Sequence, residues 1–173
     1  MRIRAARADD AAAVADIYNA GMRERSSTFE TRERDPEEMA ARIAGERHPF
    51  LVADLDGRVA GFAVTSPYSD RDAYAGVAEC SVYVDQALRG RGVGTALLAE
   101  LASEAGRRGF HKLLGKLFAT NDASMRLVHR GGFRVVGTHL RHGRLEGEWR
   151  DVVLVERSLE EAQEGLAGQP TMG

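Results

Sequence analysis

The chain has 173 residues, of which 43% are hydrophobic and 29% charged, as expected for one globular domain with a sizeable core. Its formal net charge of -2 argues against a nucleic-acid or membrane-surface protein, because no overall positive field would attract phosphates. The single cysteine, Cys80, excludes an internal disulfide and a zinc site built from several cysteines. No stretch approaches the ~20 apolar residues of a membrane-spanning helix, and the first residues lack the apolar core of a signal peptide. We therefore expect a cytoplasmic protein that binds no nucleic acid, membrane or metal.

Apolar periodicity and turn residues predict alternating strands and helices. Asp35-Pro36 is a strong helix start, since aspartate caps free amides and proline suits the first turn. Asp56-Gly57 between two apolar runs indicates a β-hairpin. The elements expected in chain order are a strand over 1–6, helices over about 9–22 and 36–45, strands over 50–53, 59–64 and 77–84, a helix over 92–108, a strand over 112–118, a helix over 121–130, and two closing strands over 133–141 and 149–157 around 143–147.

Several antiparallel strand signals with helices between them predict an α/β (α+β) domain built on a mixed sheet. The sequence contains no internal repeat, linker or low-complexity stretch before its end. We expect one domain over residues 1–159. Residues 160–173, which end in Gly-Gln-Pro-Thr-Met-Gly, are expected to form a disordered tail.

Residues 89–95, Arg-Gly-Arg-Gly-Val-Gly-Thr, form a glycine-rich turn between a strand and an amphipathic helix. Glycine lets a backbone approach a ligand closely, and the free amides of a helix start attract a diphosphate, beside which Arg89 and Arg91 add positive charge. A Walker phosphate loop is excluded because no Lys-Ser/Thr pair follows the glycines. A dinucleotide-binding turn fits poorly because residues 85–88 separate the strand from the glycines and the next strand has no acidic residue. The remaining alternative is a flexible turn with solvated arginines.

Two motifs in this order resemble the acetyl-CoA signature of the GNAT N-acetyltransferase superfamily. The first is Ser-Val-Tyr-Val at 81–84, followed after a short loop by Arg-x-x-Gly-x-Gly. The second is Asn-Asp-Ala-Ser at 121–124, which opens a helix ending in Gly-Phe at 132–133. The resemblance runs from Arg2 to about Leu159. The segments similar to the phosphinothricin and arsinothricin N-acetyltransferases, which acylate the α-amine of toxic glutamate analogues, are 17–19, 28–30, 78–84 and 142–152.

The resemblance implies a single-domain GNAT-like fold, a mixed central sheet of about six to seven strands flanked by about four helices. In that fold a splayed strand pair binds acetyl-CoA, the strand backbone holding the pantetheine arm and the glycine turn wrapping the pyrophosphate. Asn121 would contact the cofactor near the thioester, although asparagine is also an excellent helix N-cap. The implied cofactor-binding residues are Val82, Tyr83, Val84, Arg89, Gly90, Arg91, Gly92, Val93, Gly94, Thr95, Asn121 and Ser124.

Glu79 is the predicted catalytic base. An ammonium cannot attack a thioester until it loses a proton, which a nearby carboxylate can accept directly or through water. Alternation places Glu79 on one face of its strand and Cys80 on the other, and a carboxylate in an otherwise apolar strand is expensive unless it is paired or functional. The alternative is a buried glutamate bound to a structural arginine. Cys80 is expected to be a small buried hydrophobe, and the alternative is a nucleophile that forms an acyl-cysteine. A strand N–H near Val82 would stabilise the oxyanion.

The sequence leaves open which group protonates the departing thiolate. Many members of the resembled family carry tyrosine or histidine four residues after the motif serine, where this chain has Val128. Tyr83, His129 and solvent are the alternatives.

Arg71 and Tyr74 match positions that line the acceptor pocket in the resembled family, and Phe29 with Thr28 matches a loop that covers it. Solvated loop residues are the alternative. A basic cluster within 141–150 would close the pocket or contact a second subunit. Phosphinothricin-type relatives often carry a basic residue just before the glycine that precedes the tryptophan, whereas this chain has Glu146 there. The reaction class is therefore better supported than phosphinothricin as the substrate.

These observations predict an enzyme, an acetyl-CoA-dependent N-acetyltransferase acting on the α-amine of a small amino-acid analogue of the phosphinothricin, arsinothricin or methionine sulfoximine type. By the resemblance it would serve detoxification and form a homodimer. One alternative is an acceptor that is a protein N-terminus, a lysine or a polyamine, which the closed cationic pocket expected around Arg71 and Phe29 disfavours. Another is a non-catalytic acyl-CoA-binding regulator, which Glu79 disfavours.

Overall fold

The computed structural model describes residues 1–159, and the tail predicted for residues 160–173 lies outside them. Within the described part of the chain, every helix is too short or too polar to span a bilayer. The strands and α-helices of residues 1–159 are β1 (Arg2–Ala5), α1 (Ala11–Arg23), α2 (Pro36–Ile43), β2 (Phe50–Leu55), β3 (Arg58–Pro67), β4 (Val77–Val84), α3 (Val93–Arg107), β5 (Lys112–Phe118), α4 (Asp122–Arg130), β6 (Arg134–Leu145) and β7 (Glu148–Ser158).

The strands form one seven-stranded sheet in the order β1-β2-β3-β4-β5-β7-β6. β4 and β5 run parallel, and the other neighbouring strands are antiparallel. The last strand inserts between β5 and β6, so the closing hairpin meets the rest of the sheet through its second strand. The mixed-sheet α/β (α+β) prediction is confirmed, with the strand and helix numbers that the resemblance implied.

The first four strands are covered on both faces. Val14 of α1 and Met39 of α2 are fully buried on one face, where they join the cluster around Phe62 of β3. On the other face Leu97 of α3 packs in a cluster with Ala63 of β3. This half of the sheet holds most of the apolar core, as expected when helices cover both faces.

The last three strands are covered differently on their two faces. α3 and α4 pack against one face, where Leu98 and Val128 share a buried cluster with Leu113 of β5. The loop over 24–35, between α1 and α2, crosses the opposite face, and its Phe29 packs edge-on against Phe118 with ring centroids 4.8 Å apart. A loop covers less than a helix, so side chains of β4 and β5 stay accessible beside it.

Local sequence signals explain two of the element boundaries. The predicted cap of α2 is confirmed, since Asp35 Oδ1 accepts a hydrogen bond from Glu38 N at 2.8 Å and Glu38 Oε2 accepts one from Asp35 N at 3.2 Å. The predicted hairpin at Asp56-Gly57 is also confirmed, with φ of 52° and 86° at the two turn residues. Two successive positive φ values match the twist of the flanking strands.

The closing hairpin is longer than the sequence predicts. Its turn is confined to Glu146-Gly147, both with positive φ, instead of the expected 143–147. The strand continues to Leu145 because that side chain is 1% exposed and packs with Phe118 and Val152. Burial of an apolar side chain therefore outweighs the turn propensity of its polar and glycine neighbours.

Candidate active site

The sheet opens into a fork between β4 and β5. The two strands pair from Val77 with Lys112 to Glu79 with Leu114, and no further rung joins them in the described structure. Both strands nevertheless continue, β4 to Val84 and β5 to Phe118. The fork is the splayed strand pair that the resemblance implied, and Glu79 stands at its vertex.

One edge of β4 presents free backbone groups to the fork. Asp85 N donates to Ala60 O at 3.0 Å, just beyond the pairing of Val84 with Gly61. Bonded and non-bonded pairs alternate in an antiparallel ladder, so the backbone groups of Val82 and Val84 point away from β3 and into the fork. The carbonyl of Val84 accepts a hydrogen bond from Arg89 Nε at 3.3 Å. The N–H and C=O of Val82 are oriented to bind an extended polar ligand.

A cleft of about 460 Å³ continues the fork between α1, α3 and α4. All the predicted cofactor-binding residues line it except Arg91, which is exposed just outside. The structure therefore brings together two motifs that lie about 30 residues apart in the chain. The lining residues are Ile17, Gly21, Glu24, Ser26, Ser27, Val82, Tyr83, Val84, Leu88, Arg89, Gly90, Gly92, Val93, Gly94, Thr95, Asn121, Ala123, Ser124, Arg126, Leu127 and Arg130.

The N-terminus of α3 opens onto this cleft. Gly92 is the N-cap with φ of 82°, Gly90 has φ of 75°, and a Cβ on either glycine would meet nothing within 4 Å. The first intrahelical bond runs from Ala96 N to Gly92 O, so the three preceding amides have no partner within the helix. Left-handed glycines and free amides at a helix start form an anion site suited to a diphosphate.

Arginines on both walls add positive charge, and one is partly neutralised. Arg89 Nη1 lies 2.9 Å from Glu24 Oε2. Burial would raise the pKa of Glu24, but hydrogen bonds from Arg89 and Gln86 hold it below its ordinary value. Arg126 and Arg130 line the opposite wall, one turn apart on α4. The sequence reasoning missed this pair, although their spacing of four on the motif helix was a usable signal.

Asn121 joins the second motif to the loop that crosses the sheet. Its Oδ1 accepts a hydrogen bond from Ser124 N at 3.0 Å, which is the N-cap geometry expected at the start of α4. Its Nδ2 donates to Ser26 O at 3.0 Å. The capping role is therefore observed, and the residue also fixes the loop beside the cleft.

Glu79 pairs with a lysine, not with the arginine that the structural alternative expected. Its Oε1 lies 2.6 Å from Lys116 Nζ on β5, and its side chain is 28% exposed. Strand alternation holds as predicted, because Tyr83 lies in the aromatic core with Phe62 while Cys80 packs on the α3 side. The carboxylate is thus accessible and only partly desolvated, and Lys116 is a site residue that the sequence reasoning missed.

The remaining candidates on β4 and α4 differ in whether they can act as a nucleophile or as a proton donor. Burial raises the pKa of the Cys80 thiol to about 12, so the thiol stays protonated at neutral pH and is unsuited to nucleophilic attack. Val128 is buried against α3 and cannot act as an acid. Burial raises the pKa of the Tyr83 phenol, which keeps it protonated, while His129 is exposed on α4. The roles of Tyr83 and His129 as proton donors stay predictions.

The three predicted acceptor-pocket residues lie in two places. Arg71 and Tyr74 line a separate pocket of about 200 Å³ at the start of β4, which shares no described residue with the cleft. Phe29 lies at the far end of β5, where a Cβ on Gly143 would come within 2.7 Å of its ring. Glu79 lies between the two places along the strands, so the three residues flank it without meeting. Among residues 1–159 no cluster of three metal-ligating side chains occurs.

Comparison with known proteins agrees with this geometry. The family model described as "Acetyltransferase (GNAT) family" matches residues 13–133. The chain is 33% identical to the phosphinothricin N-acetyltransferase of Streptomyces viridochromogenes, covering 92% of this chain and 88% of the relative. It is 32% identical to the L-methionine sulfoximine/L-methionine sulfone acetyltransferase of Salmonella typhimurium, covering 93% and 96%.

Solved structures give the same result. A phosphinothricin acetyltransferase from Sinorhizobium meliloti in complex with acetyl-CoA superimposes with a TM-score of 0.87 at 32% identity, covering 99% of this chain and 94% of the other. A ribosomal-protein-alanine N-acetyltransferase from Brucella melitensis has the same TM-score and identity, covering 91% and 99%. The fold, the fork, the glycine turn and these matches lead to one conclusion: the chain belongs to the GNAT family of acetyltransferases.

Proposed function

We propose that this protein is an acetyl-CoA-dependent N-acetyltransferase for the α-amine of a small amino-acid analogue of the phosphinothricin, arsinothricin or methionine sulfoximine type. The observation that carries the proposal is the fork, whose free β4 backbone leads from the glycine turn of α3 to the carboxylate of Glu79. The names of the two curated relatives support the amino-acid-analogue acceptor. A role in detoxification or resistance follows from the toxicity of such acceptors.

Acetyl-CoA would lie along the cleft. The amides after Gly92 receive the diphosphate, with Arg89 and Arg91 beside it, and the arginines of α4 offer charge for the remaining phosphate. The pantetheine arm would lie between β4 and α4, bonded to the backbone of Val82 and flanked by Asn121. The thioester would then reach the vertex of the fork, since Glu79 is three residues, roughly 10 Å, from Val82 along the strand.

Glu79 would act as the general base. The acceptor arrives as an ammonium, and the carboxylate takes one proton directly or through a water. The amine nitrogen then attacks the thioester carbon, a C–N bond forms, and the carbonyl oxygen gains negative charge that the Val82 N–H stabilises. Collapse breaks the C–S bond and releases CoA thiolate. The nitrogen, which became positively charged on attack, gives its second proton to solvent, and the thiolate takes a proton from Tyr83, His129 or solvent.

The acceptor would approach across the accessible face beside Glu79. Phe29 would cover one side of it, while Arg71 and Tyr74 would contribute charge and hydrogen bonds from the loop before β4. Their separation in the free protein means that this role requires the two loops to draw closer when the acceptor binds. Loops that cover an active site commonly move in this way.

A peptide N-terminus is the second candidate acceptor. The similarity to the ribosomal-protein-alanine N-acetyltransferase favours it, because that protein matches as well as the phosphinothricin enzyme does. The two acceptors differ in shape and charge: a peptide needs an open groove, and a free amino acid brings a carboxylate.

We also propose a homodimer and a cytoplasmic location. The edge strand β6 and the start of β7 expose large apolar side chains, and such patches are rare on monomers. The single cysteine suits a reducing compartment. Light scattering of the purified protein tests the dimer. The exposed residues concerned are Val135, Val136, Leu140 and Trp149.

An acceptor panel tests the function. Release of free CoA from acetyl-CoA is measured with methionine sulfoximine, phosphinothricin, arsinothricin, spermidine and a ribosomal-protein N-terminal peptide. We expect release with at least one amino-acid analogue. Release with the peptide alone would overturn the small-molecule acceptor, and absence of CoA binding in calorimetry would overturn the enzyme itself.

A further inference from the structure

The contact between Glu79 and Lys116 spans the fork just beyond its last rung. Glu79 is paired in register with Leu114, and Lys116 follows two residues later on the same face of β5. Its ammonium reaches back to Glu79 Oε1 at 2.6 Å. The side chains of the lysine and the glutamate are 48% and 28% exposed, so both charges are accessible from the face over which the acceptor approaches.

A second lysine on β5 makes a pair of a different kind. Lys112 lies four residues before Lys116 on the same face of β5 and contacts Glu156 Oε2 at 3.3 Å. Glu156 is also bound by Arg134, so its carboxylate is held from two sides. The Glu79 carboxylate has Lys116 as its one side-chain partner among residues 1–159. The Lys112–Glu156 pair links two neighbouring strands, whereas the Glu79–Lys116 pair leaves part of its carboxylate without a partner in the described structure.

We propose that the Glu79–Lys116 pair binds the acceptor as a zwitterion and so makes the enzyme selective for free α-amino acids. The inference rests on the proposed function. When the acceptor binds, its ammonium takes the place of the lysine on Glu79, and its α-carboxylate takes the place of the glutamate on Lys116. One ion pair and one zwitterion become two ion pairs, so no charge is left without a partner.

The exchange also prepares the reaction. In the free protein the lysine occupies the carboxylate oxygen that must accept the proton. Binding of the α-carboxylate draws the ammonium of Lys116 away and leaves that oxygen to the acceptor's own ammonium. An acceptor without the carboxylate leaves Lys116 next to an incoming positive charge. Repulsion between like charges then selects against simple amines, polyamines and peptide N-termini.

The test compares two acceptors that differ in one group, L-methionine sulfone and its α-carboxamide. For each enzyme form the ratio of kcat/KM for the acid to kcat/KM for the amide gives the preference. The different basicity of the two amines cancels when preferences of two enzyme forms are compared. In Lys116→Met we expect the preference to fall by about 10- to 100-fold, the range that one hydrogen bond between charged groups provides.

Two further variants separate binding from structure. Lys112→Met removes a matched charge from the same face and should keep the wild-type preference. Lys116→Arg keeps a cation and should retain most of the preference. If Lys116→Met does not fold, Lys116→Gln, which also removes the charge, takes its place and should show the same fall in preference. Acetyl-CoA affinity by calorimetry should be the same in all forms, because neither lysine lines the cleft.

The outcomes are distinct. An unchanged preference in Lys116→Met, an equal loss in Lys112→Met, or loss of the preference in Lys116→Arg would overturn the zwitterion site while leaving the acetyltransferase intact. A wild-type enzyme that prefers the amide also overturns it. Failure of the wild type to acetylate either compound, although it binds acetyl-CoA, counts instead against the proposed acceptor class.

Discussion

Two ion clusters of this molecule show how a closed group of charges differs from an open one. At the start of the sheet Arg4 contacts Asp10 through two nitrogens at 2.7 and 2.9 Å and Asp54 through a third at 3.0 Å. Asp10 also accepts from Arg7 N at 2.8 Å. At the fork, Glu79 has a single side-chain partner within residues 1–159, Lys116. The side chains of Arg4 and Asp10 are 17% and 9% exposed, against 48% and 28% for the lysine and glutamate.

The two clusters differ in how much of their hydrogen-bonding capacity is satisfied within the protein. The Arg4 cluster satisfies its donors and acceptors inside the protein, so a substrate could gain nothing there and removal of one member leaves the others buried and unpaired. The Glu79 pair keeps part of its capacity open to solvent. Strand pairing also stops at Glu79, so this pair stands where a ligand has room to enter. A charged group is a candidate site when it has unused hydrogen-bonding capacity and lies next to space that a ligand can enter.

The largest expected effect is on catalysis at the open pair. Glu79→Gln removes the proposed proton acceptor and should lower kcat/KM by about 10²- to 10⁴-fold. The free energy of unfolding should change by less than about 0.5 kcal/mol, since exposed ion pairs contribute little. CoA release and urea unfolding measure the two quantities, with acetyl-CoA affinity as the control. Turnover at the wild-type level would show that Glu79 is not the base.

The opposite pattern is expected at the closed cluster. Asp10→Asn should lower the free energy of unfolding by about 2 to 3 kcal/mol, because Arg4 loses a charged partner in a mostly buried place. The kcat/KM of the folded enzyme should not change. Asp9→Asn, on the same turn but exposed, is the matched control. Equal urea midpoints for the two variants would contradict a stabilising role for Asp10 in the Arg4 cluster.

Low pH should remove the contribution of the Arg4 cluster to the free energy of unfolding. Hydrogen bonding to Arg4 lowers the pKa of Asp10 in the folded state, against the opposing effect of burial. The unfolded chain therefore binds more protons, and the stability from Asp10 is present above the ordinary aspartate pKa of about 3.9 and lost as pH falls below it. The unfolding free energies of wild type and Asp10→Asn should converge between pH 5 and about pH 2. A gap that stays constant with pH would contradict this.

The smallest effect is expected from the exposed arginines of the cleft. Arg126→Ala and Arg130→Ala should each weaken CoA binding by about 2- to 5-fold at low salt, and less at high salt, as solvent-exposed charges do. Unfolding should be unaffected. Arg134→Ala, outside the cleft, is the control in the same calorimetric titration. A loss of affinity that salt does not reduce would point to packing in place of charge.

The sequence predicts the elements of the fork well because their signals are local. The strand over 77–84 and the strand over 112–118 are confirmed residue for residue, and both the glycine cap of α3 and Asn121 at the start of α4 lie where they were expected. Short-range periodicity, caps and glycines determine these features, so neighbouring residues contain the information.

The partner of Glu79 could not be predicted in the same way. Lys116 lies 37 residues away, and its contact depends on the register of a parallel pair whose strands are joined by a whole helix. The separation of Phe29 from Arg71 depends on how two surface loops fold back on the sheet, which no local pattern specifies. Cross-strand geometry, not residue type, makes these contacts.

The short pairing between β4 and β5 has a consequence for measuring ligand binding. An amide in the middle of a seven-stranded sheet is ordinarily protected against deuterium for hours, yet that of Val82 faces a gap. Its exchange is thus expected to be fast in the empty protein and slow once the thioester carbonyl of bound acetyl-CoA accepts its hydrogen. The deuterium exchange rate of this single amide therefore reports whether the fork is occupied, without a dye or a turnover assay.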